Sequence, residues 1–202
     1  MADPLSFAKA REAFEAHGGM LRTSEAIRLG VHPETLYAMR DSGSIERLDR
    51  GLYRLSDLPH LSNPDLAIIG HCVPQGVVCL ISALYHHELT TEIPRQVHLA
   101  LKRGGTAPRL DSLPIQVYWF SGEAFTAGVE AHQIDGVPVR IYSSEKTIAD
   151  CFKYRNKLGL DTALEALRLY LRRRGANVDA LMQAAAVCRV PTVMQPYVEA
   201  LL

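Results

Sequence analysis

Three groups of residues in this 202-residue chain have types and spacings that could do chemistry. The first is a set of polar side chains, Thr35, Tyr37 and Arg40, followed by three arginines, Arg47, Arg50 and Arg54. Guanidinium groups hold phosphate oxygens, and Thr, Tyr and Arg side chains of suitable reach touch base edges. The second is His86-His87-Glu88. Neighbouring residues on a helix diverge by about 100°, so they do not chelate one ion together, and no H-E-x-x-H pattern is present. These histidines, and the lone His71, His98 and His132, read as structural or surface groups. The third is Asp135, Glu145, Lys146 and Asp150. Metal-dependent cleavage of a phosphodiester needs carboxylates and a lysine gathered at one phosphate. These four are loosely grouped, no Glu-x-Lys strand motif accompanies them, and Lys146 with Asp150 at i, i+4 reads as a surface helix pair. The chain has no P-loop, no G-x-S-x-G and no G-x-G-x-x-G. It is therefore expected not to be an enzyme and to need no metal or other cofactor.

The first group sits in a stretch, Gly19 to Leu55, with the pattern of helix, turn, helix and hairpin. Thr23 is placed to cap a short helix whose apolar side is Ala26, Ile27 and Leu29. Gly30 suits the sharp turn after it, and Val31 points inward. His32 precedes Pro33, a residue favoured at the first position of a new helix. Leu36 and Met39 face the core at i, i+3. Glu34, Thr35, Tyr37, Arg40 and Asp41 are expected to point out, and a helix of this kind enters the major groove of DNA. Two short strands, Ile45–Leu48 and Leu52–Leu55, flank Asp49-Arg50-Gly51, a hairpin signal that completes a winged helix-turn-helix. A helix over residues 5–16 would finish its core.

Charge gives this reading only local support. The net charge is zero, and residues 1–60 hold eight basic groups against nine acidic ones. Residues 153–174 differ: Lys153, Arg155, Lys157, Arg168, Arg172, Arg173 and Arg174 stand against Asp161 and Glu165, a local +5. That stretch fits either a solvated helix face with a favourable helix end or a second surface for a polyanion.

At 48% hydrophobic and 22% charged residues, the chain can bury an ordinary globular core. No apolar run approaches the ~20 residues of a membrane span, and the first residues lack an apolar export signal, so a cytoplasmic location is expected. The cysteines, Cys72, Cys79, Cys151 and Cys188, form no close pair of the kind structural zinc uses, and free thiols are expected.

The turn-rich run Ser56–Pro64 suggests a boundary between a domain of residues 1–57 and one of residues 65–202. After it come a short helix near 65–73, an apolar run 77–89, and strands near 96–101, 115–120, 129–134 and 137–142 around Asp135-Gly136. Pro138 suits an edge or a strand start. Helices then follow over 143–157, from a Thr162/Glu165 capping box to Arg174, and near 178–187 and 192–202. Strands followed by helices give an α/β (α+β) class.

Three runs carry a family resemblance: GGMLRTSEAIRLGVHPETLYAMRDSGSIERLDRGLYRL, VVCLISALYHHELTTEIPRQVHLAL and SSEKTIADCFKYRNKLGLDTALEALR. Together they resemble AbiEi-type antitoxins over roughly residues 6–175. The resemblance implies an antitoxin and autorepressor of a type IV (AbiE) phage-defence pair, binding inverted repeats of double-stranded DNA in its own promoter. It further implies a functional partner, a nucleotidyltransferase-like toxin, with no stable complex between the two and no membrane role. The DNA-reading role falls on Thr23, Ser24, His32, Thr35, Tyr37 and Arg40, with Arg47, Arg50 and Arg54 on the wing. Lys146, Thr147, Asp150, Lys153, Tyr154 and Arg155 match the C-terminal signature, and Arg168 and Arg172 extend its basic surface. A monomer or DNA-assisted dimer is expected. Two other readings are a stand-alone winged-helix regulator whose second domain senses a ligand or protein, and a metal-dependent nuclease.

Overall fold

A computed structural model describes residues 4–202. The chain divides into two compact units. The first holds the described residues through Pro74 with two later segments, Pro108–Leu113 and Gln133–Pro138. The second holds Gln75–Ala107, Pro114–His132 and Val139–Leu202.

The first unit begins with α1 (Pro4–Glu15), β1 (Met20–Arg22), α2 (Thr23–Arg28) and α3 (Pro33–Asp41), then β2 (Ile45–Asp49), β3 (Leu52–Leu55) and α4 (Pro64–Cys72). β3 lies between β1 and β2 and pairs antiparallel with both. Its core gathers Phe14 of α1, Ala26 of α2, Leu36 and Met39 of α3, and Ile45, Tyr53 and Leu55 of the sheet. Burying several large apolar side chains at roughly 1.5–3 kcal/mol each holds helices this short in place, since a six-residue helix is unstable alone. β1, a three-residue strand, lacks a sequence signal of its own.

The expected break at Ser56–Pro64 falls inside this unit. Ala67 of α4 packs with Met20 and Val137, and Asp135 accepts the backbone N–H groups of Ser62 (2.8 Å) and Asn63 (3.0 Å). Arg11 binds Asp57 at 2.6 Å, tying the start of the same stretch to α1. The turn-rich composition marks a surface path, but these contacts fix it.

The second unit contains β4 (Val77–Val78), α5 (Leu80–His86), β5 (Val97–Lys102), β6 (Ile115–Phe120), α6 (Glu123–Thr126) and, apart from the segment Gln133–Pro138 counted with the first unit, β7 (Val129–Ile134) and β8 (Val137–Tyr142). Then follow α7 (Ser144–Lys153), α8 (Arg155–Leu158), α9 (Leu160–Leu171), α10 (Val178–Cys188) and α11 (Pro191–Leu201). The mixed sheet has the order β6-β5-β4-β8-β7, with β5–β6 and β4–β8 parallel and β4–β5 antiparallel. The turn joining β7 to β8 has Asp135 at φ 51° and Gly136 at φ 79°, the two left-handed positions of a type I′ hairpin. Pro138 occupies the second position of β8, and the two-residue β4 pairs with β8 at Ile141, clear of the proline's missing donor. Together these elements give the mixed α/β class expected.

α7 is buried from Lys146 through Phe152 and packs against α5, α9 and α10. The Thr162/Glu165 capping box does not form. α9 starts earlier, after Gly159 at φ 95°. Glu165 instead accepts hydrogen bonds from the Thr90 hydroxyl (3.0 Å) and the Thr91 hydroxyl (2.9 Å).

β5 is buried on both faces, not one, so His98 lies inside. Its backbone N–H donates to Ser82 Oγ at 2.9 Å, and burial pushes its imidazole down to about 4. The ordinary value is 6.5, so between these pH values the unfolded chain binds more protons and stability falls as pH drops. His98→Gln is expected to remove part of this acid loss, on the order of 3 kcal/mol at its limit. Urea midpoints measured at neutral pH and near pH 4 check it. An unchanged pH dependence contradicts it.

Candidate nucleic-acid interface

The helix-turn-helix is built from short-range signals. Glu25 Oε2 accepts the backbone N–H of Arg22 at 2.9 Å and fixes the start of α2. Thr23 is not the cap: its hydroxyl turns to the Gly51 carbonyl, at 3.4 Å, and so ties α2 to the wing. Ala26 is fully buried, but Ile27 and Leu29 are each 47% exposed, so α2 has a narrow buried stripe, not a broad apolar side. Gly30 sits at φ 85°, where a side chain would be strained, and lets the chain turn sharply into α3. At the head of α3, His32 Nδ1 accepts the Glu34 N–H at 3.3 Å ahead of Pro33.

Leu36 and Met39 anchor α3 inward as expected. Thr35 is buried with them, at 6% exposure, because position 35 lies one turn before Met39 on the same face. It is withdrawn from any surface. The outward face is Glu34, Tyr37, Arg40 and Asp41. Arg40 binds Asp41 at 2.7 Å and lies over the Tyr37 ring, 5.2 Å from its centre. Tyr37 is 45% exposed, open to a partner's polar edge.

The wing turns at Arg50-Gly51, with Gly51 at φ 68°. A register shift between Arg47 and Asp49 marks a β-bulge in β2. Asp49 is 2% exposed. Burial pushes its carboxyl up, but donors from Asp111, Arg50 and Ser112 outweigh that and hold it below the usual carboxylate range. The three wing arginines differ. Arg50 is exposed. Arg47 is half-exposed and binds Asp111 at 3.1 Å. Arg54 is buried, bound to Glu46 at 3.1 Å and to the Pro59 carbonyl. It is a structural group, so the phosphate role expected for it is corrected. It points inward because β3 is the central strand and all four of its residues are buried. Of the residues expected to face DNA, Ser24, His32, Tyr37, Arg40, Arg47 and Arg50 are exposed, Thr23 is half-buried, and Thr35 and Arg54 are inside.

Sequence reasoning did not find Arg22, Asp49 and Arg109. Arg22 and Arg109 share a cleft of about 480 Å³ with Arg50, Thr23 and Ser24. Local spacing could not show this, since Arg109 reaches the wing from another part of the chain.

In the second unit three of the six signature residues, Lys146, Thr147 and Asp150, are core. Lys146 and Asp150 are 1% and 0% exposed, and Nζ meets Oδ2 at 2.5 Å. They are not the surface pair expected. Neighbouring elements enclose α7 from Lys146 through Phe152. The ammonium lies over Tyr142, 4.2 Å from the ring centre, and over Phe120 at 5.0 Å. Cys188 Sγ donates to the other Asp150 oxygen at 3.1 Å. Burial pushes the Asp150 carboxyl above its ordinary range despite Lys146. Thr147, also buried, donates to the Tyr142 carbonyl at 3.2 Å. Lys153, Arg168 and Arg172 are exposed. Tyr154 is half-buried against Tyr118, and Arg155 donates to the Phe152 carbonyl at 2.9 Å. Arg173 is tied to the carbonyls of His87 and Glu88.

His86, His87 and His132 do meet, with His86 Nε2 and His132 Nδ1 at 3.4 Å. Burial and the neighbouring imidazoles push His86 down to about 4, and His87 Nε2 is engaged by the Tyr142 carbonyl at 2.7 Å. Among the described residues, no group of three or more His, Cys, Asp or Glu side chains is placed to hold a metal ion. All four cysteines are free thiols. No helix among the described residues is long and apolar enough to cross a membrane.

A three-helix core with a helix-turn-helix pair and a three-stranded wing is a winged helix-turn-helix, the class of fold that regulators use to lay one helix in the major groove. Residues 9–56 match the model of a family described as transcriptional regulator, AbiEi antitoxin. The match covers the helix-turn-helix and both wing strands. Among solved structures, the RV2827C protein from Mycobacterium tuberculosis is similar in fold, with a TM-score of 0.56 at 12% identity over 98% of this chain and 82% of that one. No curated protein sequence matches the chain.

Proposed function

We propose that the protein is a DNA-binding autorepressor and the antitoxin of a type IV toxin–antitoxin pair active in phage defence, bound to inverted repeats in its own promoter. The observation that carries this reading is the outward face of α3, with Tyr37 and Arg40 exposed, together with the exposed Arg50 of the wing, in the stretch that matches the regulator family. Tyr37 and Arg40 approach base edges, while Arg50 and Arg47 hold phosphates. One winged helix reads few base pairs, so two copies bind half-sites about one helical turn apart, as monomers that pair on DNA. The basic residues Lys153, Arg168 and Arg172 of the second unit add a phosphate-holding surface. The functional partner is a nucleotidyltransferase-like toxin, opposed without a stable complex.

Arg50→Ala is expected to weaken binding to every duplex alike and to lower the slope of log affinity against log salt by about 1. Mobility-shift titrations at several salt concentrations test this. An unchanged slope removes Arg50 from the interface. Co-expression with a nucleotidyltransferase-like toxin that arrests growth tests the antitoxin half of the reading: growth is restored by the intact chain, and a failure to restore it counts against that half.

A further inference from the structure

We propose that the cleft formed by Arg22, Arg50 and Arg109, with the hydroxyls of Thr23 and Ser24, is a built site for a phosphate of the DNA backbone. Arg109 thereby brings a part of the chain far from the winged helix into the DNA surface. The proposal rests on the reading that this unit binds DNA.

The cleft, about 480 Å³, lies wholly within the first unit. Its three arginines come from three places: the end of β1, the wing turn, and the segment Pro108–Leu113. Among the described residues, none of the three forms a salt bridge with a carboxylate, although Arg11, Arg40, Arg47 and Arg54 all do. Three arginines lining one cleft gather positive charge there. An anion offsets that charge, and a tetrahedral phosphate accepts from several donors at once.

The far segment is fixed in place by the wing. Asp111 donates its backbone N–H to Asp49 Oδ1 at 3.0 Å, and the Ser112 hydroxyl donates to Asp49 Oδ2 at 3.0 Å. Arg47 closes the clamp from the same strand by binding the Asp111 carboxylate at 3.1 Å. A carboxylate that is 2% exposed and holds a segment more than sixty residues away makes a preorganised mount for Arg109, not a chance approach of a mobile loop. Thr23 donates to the Gly51 carbonyl, so the turn carrying Arg50 is also braced. The cleft is therefore positioned before a ligand arrives. A phosphodiester is the occupant assigned, because exposed Arg50 and Ser24 open it to a long polyanion and the same unit carries the exposed face of α3.

Fluorescence anisotropy of the full chain on a labelled duplex tests this, with Arg22→Ala, Arg109→Ala and Arg109→Glu. Arg109 is exposed, so its variants keep the parent melting temperature. The proposal expects each alanine variant to lose affinity for all sequences alike and to lower the salt slope by about 1, with the glutamate variant weaker still. If the parent binds DNA and the Arg109 variants bind with the same affinity and slope, the cleft assignment falls and the DNA reading stands. If the parent binds no duplex, both fall. Calorimetry with inorganic phosphate separates the remaining source. Binding of free phosphate that Arg109→Ala abolishes, with duplex binding intact, gives the cleft to a small anion and overturns the assignment to DNA.

Discussion

Replacing Lys146 by methionine is expected to destabilise the second unit by about 3–5 kcal/mol, the usual result of removing one partner of a buried ion pair. Lys146 and Asp150 are shut away from water, 2.5 Å apart on successive turns of α7. The methionine fills much of the volume but leaves the Asp150 carboxyl with the Cys188 thiol as its remaining donor. Burial already pushes that carboxyl up with Lys146 present, so without it the group keeps its proton over a wider range. The sign follows. An acid whose folded pKa is raised binds more protons folded than unfolded, so stability falls as pH rises from the unfolded value of about 3.9 through the folded one. The variant's deficit is therefore larger at neutral pH than in mild acid. The double change Lys146→Met with Asp150→Leu is expected to recover most of the loss, because a buried ion pair replaced by apolar groups of similar size is often neutral or better. Urea denaturation of the parent and both variants at two pH values checks this. A single variant as stable as the parent contradicts the burial of this pair.

Arg40→Ala and Tyr37→Ala are each expected to reduce discrimination between the operator and unrelated DNA by about 1–3 kcal/mol per base no longer read, or roughly 5- to 150-fold. Both side chains are on the outward face of α3, and neither is needed to hold the domain together, since Leu36 and Met39 anchor the helix. The cation–ring contact between them, at 5.2 Å, makes the pair act together, so their effects will not add. The expected pattern is the opposite of that for Arg50. Specific affinity drops while weak, salt-dependent binding to any duplex persists. Competition binding with operator and scrambled duplexes separates the two. Equal losses on both duplexes would move Tyr37 and Arg40 from reading bases to holding phosphates.

Much of the first unit was legible because its signals are local. Gly30 turns, Pro33 opens a helix, and Gly51 closes a hairpin through backbone conformations that each residue type favours on its own. Which side chains of that frame reach solvent was less legible. Thr35 reads as surface by its polarity but lies on the Met39 face, and Arg54 reads as a phosphate donor but sits on the central strand of the sheet. Ile27 and Leu29 err the other way, apolar yet exposed. In the second unit, the i, i+4 spacing of Lys146 and Asp150 correctly implies a helical ion pair. The spacing does not report how far other elements enclose the helix, and here they bury both residues of the pair. The clamp of Asp49 on Asp111 and Ser112 joins residues more than sixty apart and has no local signature at all. The same holds for the meeting of His86 and His87 with His132.

The proposed role requires α3 and the wing to lie against duplex DNA of defined sequence. The most direct test is the affinity of the full chain for a duplex spanning its own upstream region against a scrambled duplex of equal length, measured over a range of salt. Binding is expected to be at least about 10³-fold tighter to the upstream duplex, with log affinity falling linearly as log salt rises. Equal affinity for the two duplexes, or binding indifferent to salt, would contradict it.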